Sequence, residues 1–229
     1  MQEVSEFNIF AKSYWSYYLE LEEQIVLSKK YVEFDETNHK TFSSNYLLLI
    51  QAICSEIDVV GKALASSFSE DFAKEKGTKP INRWWYELQD KLPDIDKVVI
   101  FADSYEISPW ANYRVEKKIS TYTDKNGKLK ERTNYNLAVK DDKKTYETPK
   151  WWNSYNKIKH HRTDFDGDEV NYKKANLLNL SNSIAALFTL ETEYMKLIGT
   201  LEERASISQS QLFEMEDVTN QLIKNMFEK

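Results

Sequence analysis

The sequence predicts a mainly α-helical fold, and three observations carry that prediction. Glycine and proline are scarce, at 5 and 4 among 229 residues, and these are the residues that interrupt helices and build turns. Apolar residues recur at spacings of three and four over several long stretches, the period of a helix with one buried face. Hydrophobic residues make up 41% of the chain and aromatic residues 14%, which is enough apolar matter for a core and argues against disorder. The length suits one large domain, so residues 1–229 are expected to form a single unit.

Residues 3–32 read as a first helix with Phe7, Phe10, Tyr14, Tyr17, Leu21, Ile25 and Leu27 on one side. Ser43 is placed to cap a second helix ending near residue 66. Its stripe is Tyr46, Ile50, Ile53, Ile57, Val60 and Leu64, widened by Leu47, Leu48, Leu49, Cys54 and Val59. Glu56 lies on this apolar helix, and a buried carboxylate needs a partner. Residues 74–80 form a linker. A shorter helix at 81–92 carries Trp84 and Trp85 and stops at Pro93. Residues 98–101 are a brief apolar strand or extended run.

Residues 113–139 form the one β element. Two arms flank Asn126-Gly127, a pair suited to a tight hairpin turn because both residues tolerate positive φ. Centring on that turn pairs Ile119 with Asn134 and Val115 with Ala138. Beyond the basic helix at 151–162, the aspartates of Thr163-Asp164-Phe165-Asp166-Gly167-Asp168-Glu169 lack the full spacing of a calcium loop. They predict a helix cap at Asp166 or Asp168 instead. A long helix at 170–198 comes next, stopped by Gly199, and an amphipathic helix at 208–227 closes the chain.

The net charge of −6 conceals an asymmetry. Residues 112–162 hold 14 Lys and Arg against 6 Asp and Glu, a local excess of +8 in an otherwise acidic chain. Such a directed patch suits a phosphate-bearing partner. Cys54 is the only cysteine, which excludes an intrachain disulfide. The N-terminal residues lack a secretory leader's basic and apolar regions. The longest apolar stretch, 46–54, is too short to span a bilayer. A cytoplasmic chain without membrane contact is expected. There is no P-loop, dinucleotide-binding glycine motif, zinc set or GxSxG elbow, so neither a cofactor nor a metal is expected.

The chemistry concentrates in Trp151-Trp152-Asn153-Ser154-Tyr155-Asn156-Lys157-Ile158-Lys159-His160-His161-Arg162. Pro149 opens this helix, a position proline tolerates. Trp151, Tyr155, Ile158 and the stem of Arg162 share a core-facing stripe. Asn156 and His160, four apart, share another face, flanked by Trp152 and Lys159. His161 is turned about 100° from His160 on a regular helix, so it is given a supporting role. Histidine exchanges protons near neutral pH, and Lys157, Lys159 and Arg162 suit phosphate. Cleavage of RNA without a metal fits this inventory, with His160 as acid or base and cationic or amide donors facing the phosphate. One histidine supplies half of an acid–base pair, and a symmetric dimer would supply the rest. In the hairpin, Lys128, Lys130 and Arg132 are the expected RNA contacts.

The motif Trp152-x-x-Tyr155-Asn156-x-x-Lys159-His160-x-Arg162 resembles the motif helix of HEPN (higher eukaryote and prokaryote nucleotide-binding) domains. Phe42-Ser43-x-x-Tyr46 with Ser55-Glu56-Ile57-Asp58-x-x-x-Lys62 resembles the acidic helix of bacterial members. Asn176 leading into Ala185-Ala186-Leu187-Phe188 is similar to the helix beside the motif helix. The resemblance implies a HEPN-like helical bundle, here with an inserted basic β-hairpin. It also implies a homodimer whose motif helices meet across a cleft. It implies a metal-independent ribonuclease of defence or toxin–antitoxin type, with an antitoxin or other protein as possible partner, or an inactive module binding RNA, a nucleotide or a protein. Active members place an Arg before the His with four to six residues between them. Here Asn156 stands at that place for His161 and one residue closer to His160. Asn156 would then contact phosphate or the 2′-OH, and Glu56, Tyr155 and Trp152 would support the site.

Overall fold

The computed structural model describes residues 5–92, 94–139, 146–216 and 218–220. The fold is mainly α with small antiparallel sheets. Its helices are α1 (Glu6–Phe10), α2 (Ser16–Ser28), α3 (Ser44–Phe68), α4 (Glu70–Lys74), α5 (Ile81–Leu88), α6 (Lys150–His160), α7 (Leu177–Ile198) and α8 (Leu201–Ser206). Strands β1 (Val99–Phe101) and β2 (Tyr105–Ile107) make one hairpin, and β3 (Val115–Thr123) and β4 (Leu129–Leu137) a second. The two-residue strands β5 (Phe165–Asp166) and β6 (Glu169–Val170) make a third. Among the described residues no helix is long and apolar enough to cross a membrane.

Helices α3 and α7 form the centre. Ser43 caps α3 as expected, accepting from the Tyr46 amide at 3.1 Å. Tyr46, Ile50, Ile53, Ile57, Val60 and Leu64 are all buried, whereas Leu48 and Val59 face outward. Helix α7 is buried on nearly every side, because α3, α6, α1 and α2 all pack around it. At Gly61 of α3 an added Cβ would lie 2.9 Å from the Trp84 ring, so the missing side chain lets α5 rest its indole on the α3 backbone. Trp84, Trp85 and Trp110 then stack edge and face into the core, with centroids 4.5–6.2 Å apart.

Several expectations are corrected. The first helix is not uniform. A π-helical turn, Ala11–Trp15, separates α1 from α2. A π turn inserts one residue per turn and rotates the helix beyond it, so Trp15, Tyr18, Leu21 and Ile25 are buried while Tyr17 and Leu27 are exposed. Helix α5 ends at Leu88, and the stop assigned to Pro93 lies outside the described residues. The long helix starts at Leu177 instead of 170, after a 3-10 turn at Asn171–Lys174. Its cap is Asn176, whose side chain accepts from the Asn179 amide at 3.0 Å, and neither Asp166 nor Asp168 has that role.

The hairpin register is shifted by one. Ile119 faces Thr133 and Val115 faces Leu137. The cause is Asp124, whose carboxylate accepts from the amides of Asn126 and Lys128 at 2.9 and 3.0 Å. That builds a longer turn in which only Gly127 takes positive φ, +76°, a glycine bulge instead of the two-residue turn. Residues 208–215 are not helical. Instead, Glu22 of α2 holds them. It is fully buried and accepts from the Tyr18 and Ser210 hydroxyls and from the amides of Gln211 and Leu212. The rest of the closing helix expected at 208–227 lies largely outside the described residues.

Candidate functional site

Helix α6 is docked by its apolar stripe. Trp151, Tyr155 and Ile158 are buried, and the Trp151 indole donates to the Pro109 carbonyl at 2.8 Å. Trp152 is half-buried and packs on Tyr155, ring centroids 5.2 Å apart. This anchoring sends the opposite face outward. Asn156 is half-buried one turn before His160, and His160 is exposed on the last turn. Among the described residues His160 has no hydrogen-bond or ion-pair partner; its ring contact is with His161, at 6.4 Å between centroids.

The two histidines do not sit on one continuing helix. The helix ends at His160, and His161 adopts φ −138° and ψ 38°. The 100° rotation expected between them therefore does not apply. His161 is committed locally: its Nδ1 lies 3.1 Å from the Asp164 carboxylate, and its carbonyl accepts from the Asn171 side-chain amide at 2.9 Å.

The basic neighbours are similarly engaged. Lys157 and Lys174 both reach the Asp166 carboxylate, at 2.5 and 3.0 Å. Hydrogen bonds from these two ammonium groups, Lys157 first, hold Asp166 down at about 2. Lys159 lies 5.4 Å above the Tyr155 ring. Arg162 is exposed and turns back toward the Ile158 carbonyl at 3.4 Å, which corrects its placement on the core stripe. The β5–β6 hairpin is what brings Asp166 to Lys157. It was missed because its strands are only two residues long.

Glu56 belongs to a different cluster. It is half-buried, and burial raises its carboxyl above the ordinary range. Its charge acts on Glu191 of α7 and Tyr14 of the π turn. Cys54 is the α3 residue that senses Lys159 of α6, and Glu56 is turned about 200° from it. Cys54 itself is fully buried and its thiol is pushed up by burial, as suits an inert core cysteine. Glu191 was not singled out from the sequence, although it falls at helical spacing with Leu177, Leu180, Ile184, Leu187 and Met195 of α7. It is fully buried, and among the described residues neither of its oxygens has a hydrogen-bond partner. Burial and then repulsion by Glu56 raise its carboxyl well above the ordinary range. A carboxylate inside an apolar stripe was the available signal.

A cleft of about 310 Å³ lies beside the opposite, N-terminal end of α6, lined by Asn112, Lys150, Trp151, Asn179 and Asn182. A groove of about 950 Å³ runs between the C-terminal end of α7 and the segment held by Glu22. Neither is lined by Asn156 or His160. Lys128, Lys130 and Arg132 stand on the exposed β3–β4 hairpin. Among the described residues no group of three or more His, Cys, Asp or Glu side chains is arranged to hold a metal ion. No family model, curated protein or solved structure matches the chain.

Proposed function

We propose that the chain is a HEPN-like, metal-independent endoribonuclease of defence or toxin–antitoxin type, acting as a homodimer. The observation that supports this reading best is the contrast along the last turn of α6. His161, Lys157 and Lys159 are each committed to a neighbour, whereas the His160 imidazole is exposed and uncommitted. Asn156, one turn earlier on the same face, has an amide able to donate to phosphate or to the ribose 2′-OH. His160 would move the proton and Asn156 would hold the anion; the partner copy's helix would complete the acid–base pair.

A second reading comes from the cations. Asn156 carries no charge where an active family member has Arg, and Lys157 is neutralised by Asp166. A catalytically inactive module that binds RNA or a nucleotide through the same face fits those two features. Incubation of the protein with total RNA in EDTA separates the readings. The nuclease reading expects cleavage that falls about 100-fold or more in His160→Ala, the range of a lost general acid or base. Binding without cleavage in both proteins would establish the module. A monomer at every concentration in light scattering would remove the two-helix site.

A further inference from the structure

The β3–β4 hairpin is bolted at its root and bare along its length. The Gln89 side chain clamps both main-chain groups of Val115, donating at 2.8 Å and accepting at 2.9 Å. The Trp85 indole donates to the Tyr113 carbonyl at 3.2 Å. Asn82 donates to the Tyr135 carbonyl at 3.0 Å and accepts from the Tyr113 hydroxyl at 2.5 Å. Arg83, fixed by Glu75 and Glu87, lies 4.6 Å from the Tyr135 ring. These contacts set the direction of an arm whose nine-residue strands extend roughly 30 Å.

The observed register sorts the arm's side chains. Tyr122 pairs with Lys130, Ser120 with Arg132, and Lys118 with Asn134. Cross-strand partners share a face and alternate residues take the other. One face therefore carries Lys118, Tyr122, Lys130 and Arg132 with Ser120 and Asn134. Ile119, Leu129 and Glu131 go to the opposite face. The turn adds Lys125 and Lys128. Two of the arm's carboxylates are paired, Glu116 with Lys118 near the root and Asp124 with its turn amides and Lys130, while Glu131 lies on the opposite face. Among the described residues Lys125, Lys128 and Arg132 have no carboxylate partner, and Tyr122 is 47% exposed.

We propose that this basic face of the ribbon is a contact surface for an unpaired RNA strand, its cations on successive phosphates and Tyr122 stacked on a base. The ligand class rests on the RNA reading of α6 above, and the hairpin cations are already the contacts the sequence leads one to expect; the single face they share with Tyr122 and the unpaired form of the strand are new. Charge complementarity selects a polyanion, because the arm is the basic projection of an acidic chain. An exposed aromatic ring among cations selects unpaired bases over a duplex, whose bases are already stacked. An acidic protein partner is disfavoured by area. One ribbon face offers roughly 300 Å² by strand length and spacing, well below the ~800 Å² that a stable protein partner usually covers.

The test uses the full chain carrying His160→Ala, so that binding is read without cleavage. A fluorescein-labelled 20-nucleotide unstructured RNA, its duplex and a poly-glutamate peptide are titrated by anisotropy across a NaCl series. The triple variant Lys128→Ala/Lys130→Ala/Arg132→Ala is expected to weaken single-strand binding at least tenfold. Three lost phosphate contacts should also lower the salt slope by about 2. Tyr122→Ala is expected to weaken the single strand about fivefold to 100-fold with the slope and duplex binding unchanged. Ile119→Ser, on the opposite face, is the control. Unchanged affinity and slope in the triple variant, with an unaltered thermal melt, overturns the proposal. So does binding of poly-glutamate with no binding of RNA. Retained cleavage by the arm variants in the wild-type α6 background, with unchanged RNA affinity, refutes the arm alone. Arm-dependent binding without any cleavage refutes the nuclease reading alone.

Discussion

Glu191 of α7 is fully buried within reach of the Glu56 charge on α3, and burial first, then that charge, raises the Glu191 carboxyl. Its folded-state carboxyl lies well above its ordinary value, so the fold holds a proton that the unfolded chain releases. The stabilising effect is complete below the unfolded carboxyl's range near 4.5 and is lost as pH rises toward the folded value. Thermal melting temperatures are expected to fall as pH rises above about 4.5. Glu191→Met removes the buried unsatisfied group, and should flatten that profile and stabilise the protein at about pH 8 by about 1–3 kcal/mol. A steeper profile in the variant would contradict this origin.

Gly61→Ala tests the seating of α5 on α3. Alanine ordinarily favours a helix over glycine by about 1 kcal/mol. Here the added methyl meets the face of Trp84, which is held by Trp85 and Trp110. A net destabilisation of about 1–3 kcal/mol is expected in urea unfolding, the usual range for overpacking. A neutral or stabilising result would mean that the indole can move aside.

Gln89→Ala tests the root of the arm. Two hydrogen bonds to Val115 are lost, at about 1–2 kcal/mol together. The informative readout is local: amide exchange should quicken in β3 and β4 while α7 keeps its protection. Uniform acceleration would point to global destabilisation instead.

Asp166→Asn tests the restraint on Lys157. The carboxylate stays charged down to about pH 2, so both lysines are neutralised across the physiological range and are released only as pH falls through that value. The variant should bind RNA more tightly at low salt and raise the salt slope by about 1, as expected for one added phosphate contact. No change would show that Lys157 does not face the RNA.

Much of the helical frame was legible because its signals are local. The α3 stripe with its Ser43 cap, and the Trp151, Tyr155 and Ile158 face of α6, repeat with the helical period and pack as that period requires. The phase of α2 was not legible. Nothing adjacent marks the π turn that buries Trp15 and Tyr18 in place of Tyr17. The hairpin was signalled by Asn126-Gly127, but its register was set by Asp124, just upstream of that pair. In the candidate site, the shared face of Asn156 and His160 came from helical spacing. The ties of Lys157 to Asp166 and His161 to Asp164 depend on how the chain turns after the helix ends. Glu22 was the least legible, since its partner Gln211 lies 189 residues away.

That separation bears on how the chain matures during synthesis. Three of the four donors that satisfy Glu22 belong to residues 210–212. While those residues are still within the ribosome, a closing core would bury the Glu22 carboxyl without most of its hydrogen-bond donors, a costly arrangement. Final closure therefore waits until residues 210–212 have left the ribosome, and a product cut short before them would remain open to quality-control proteases.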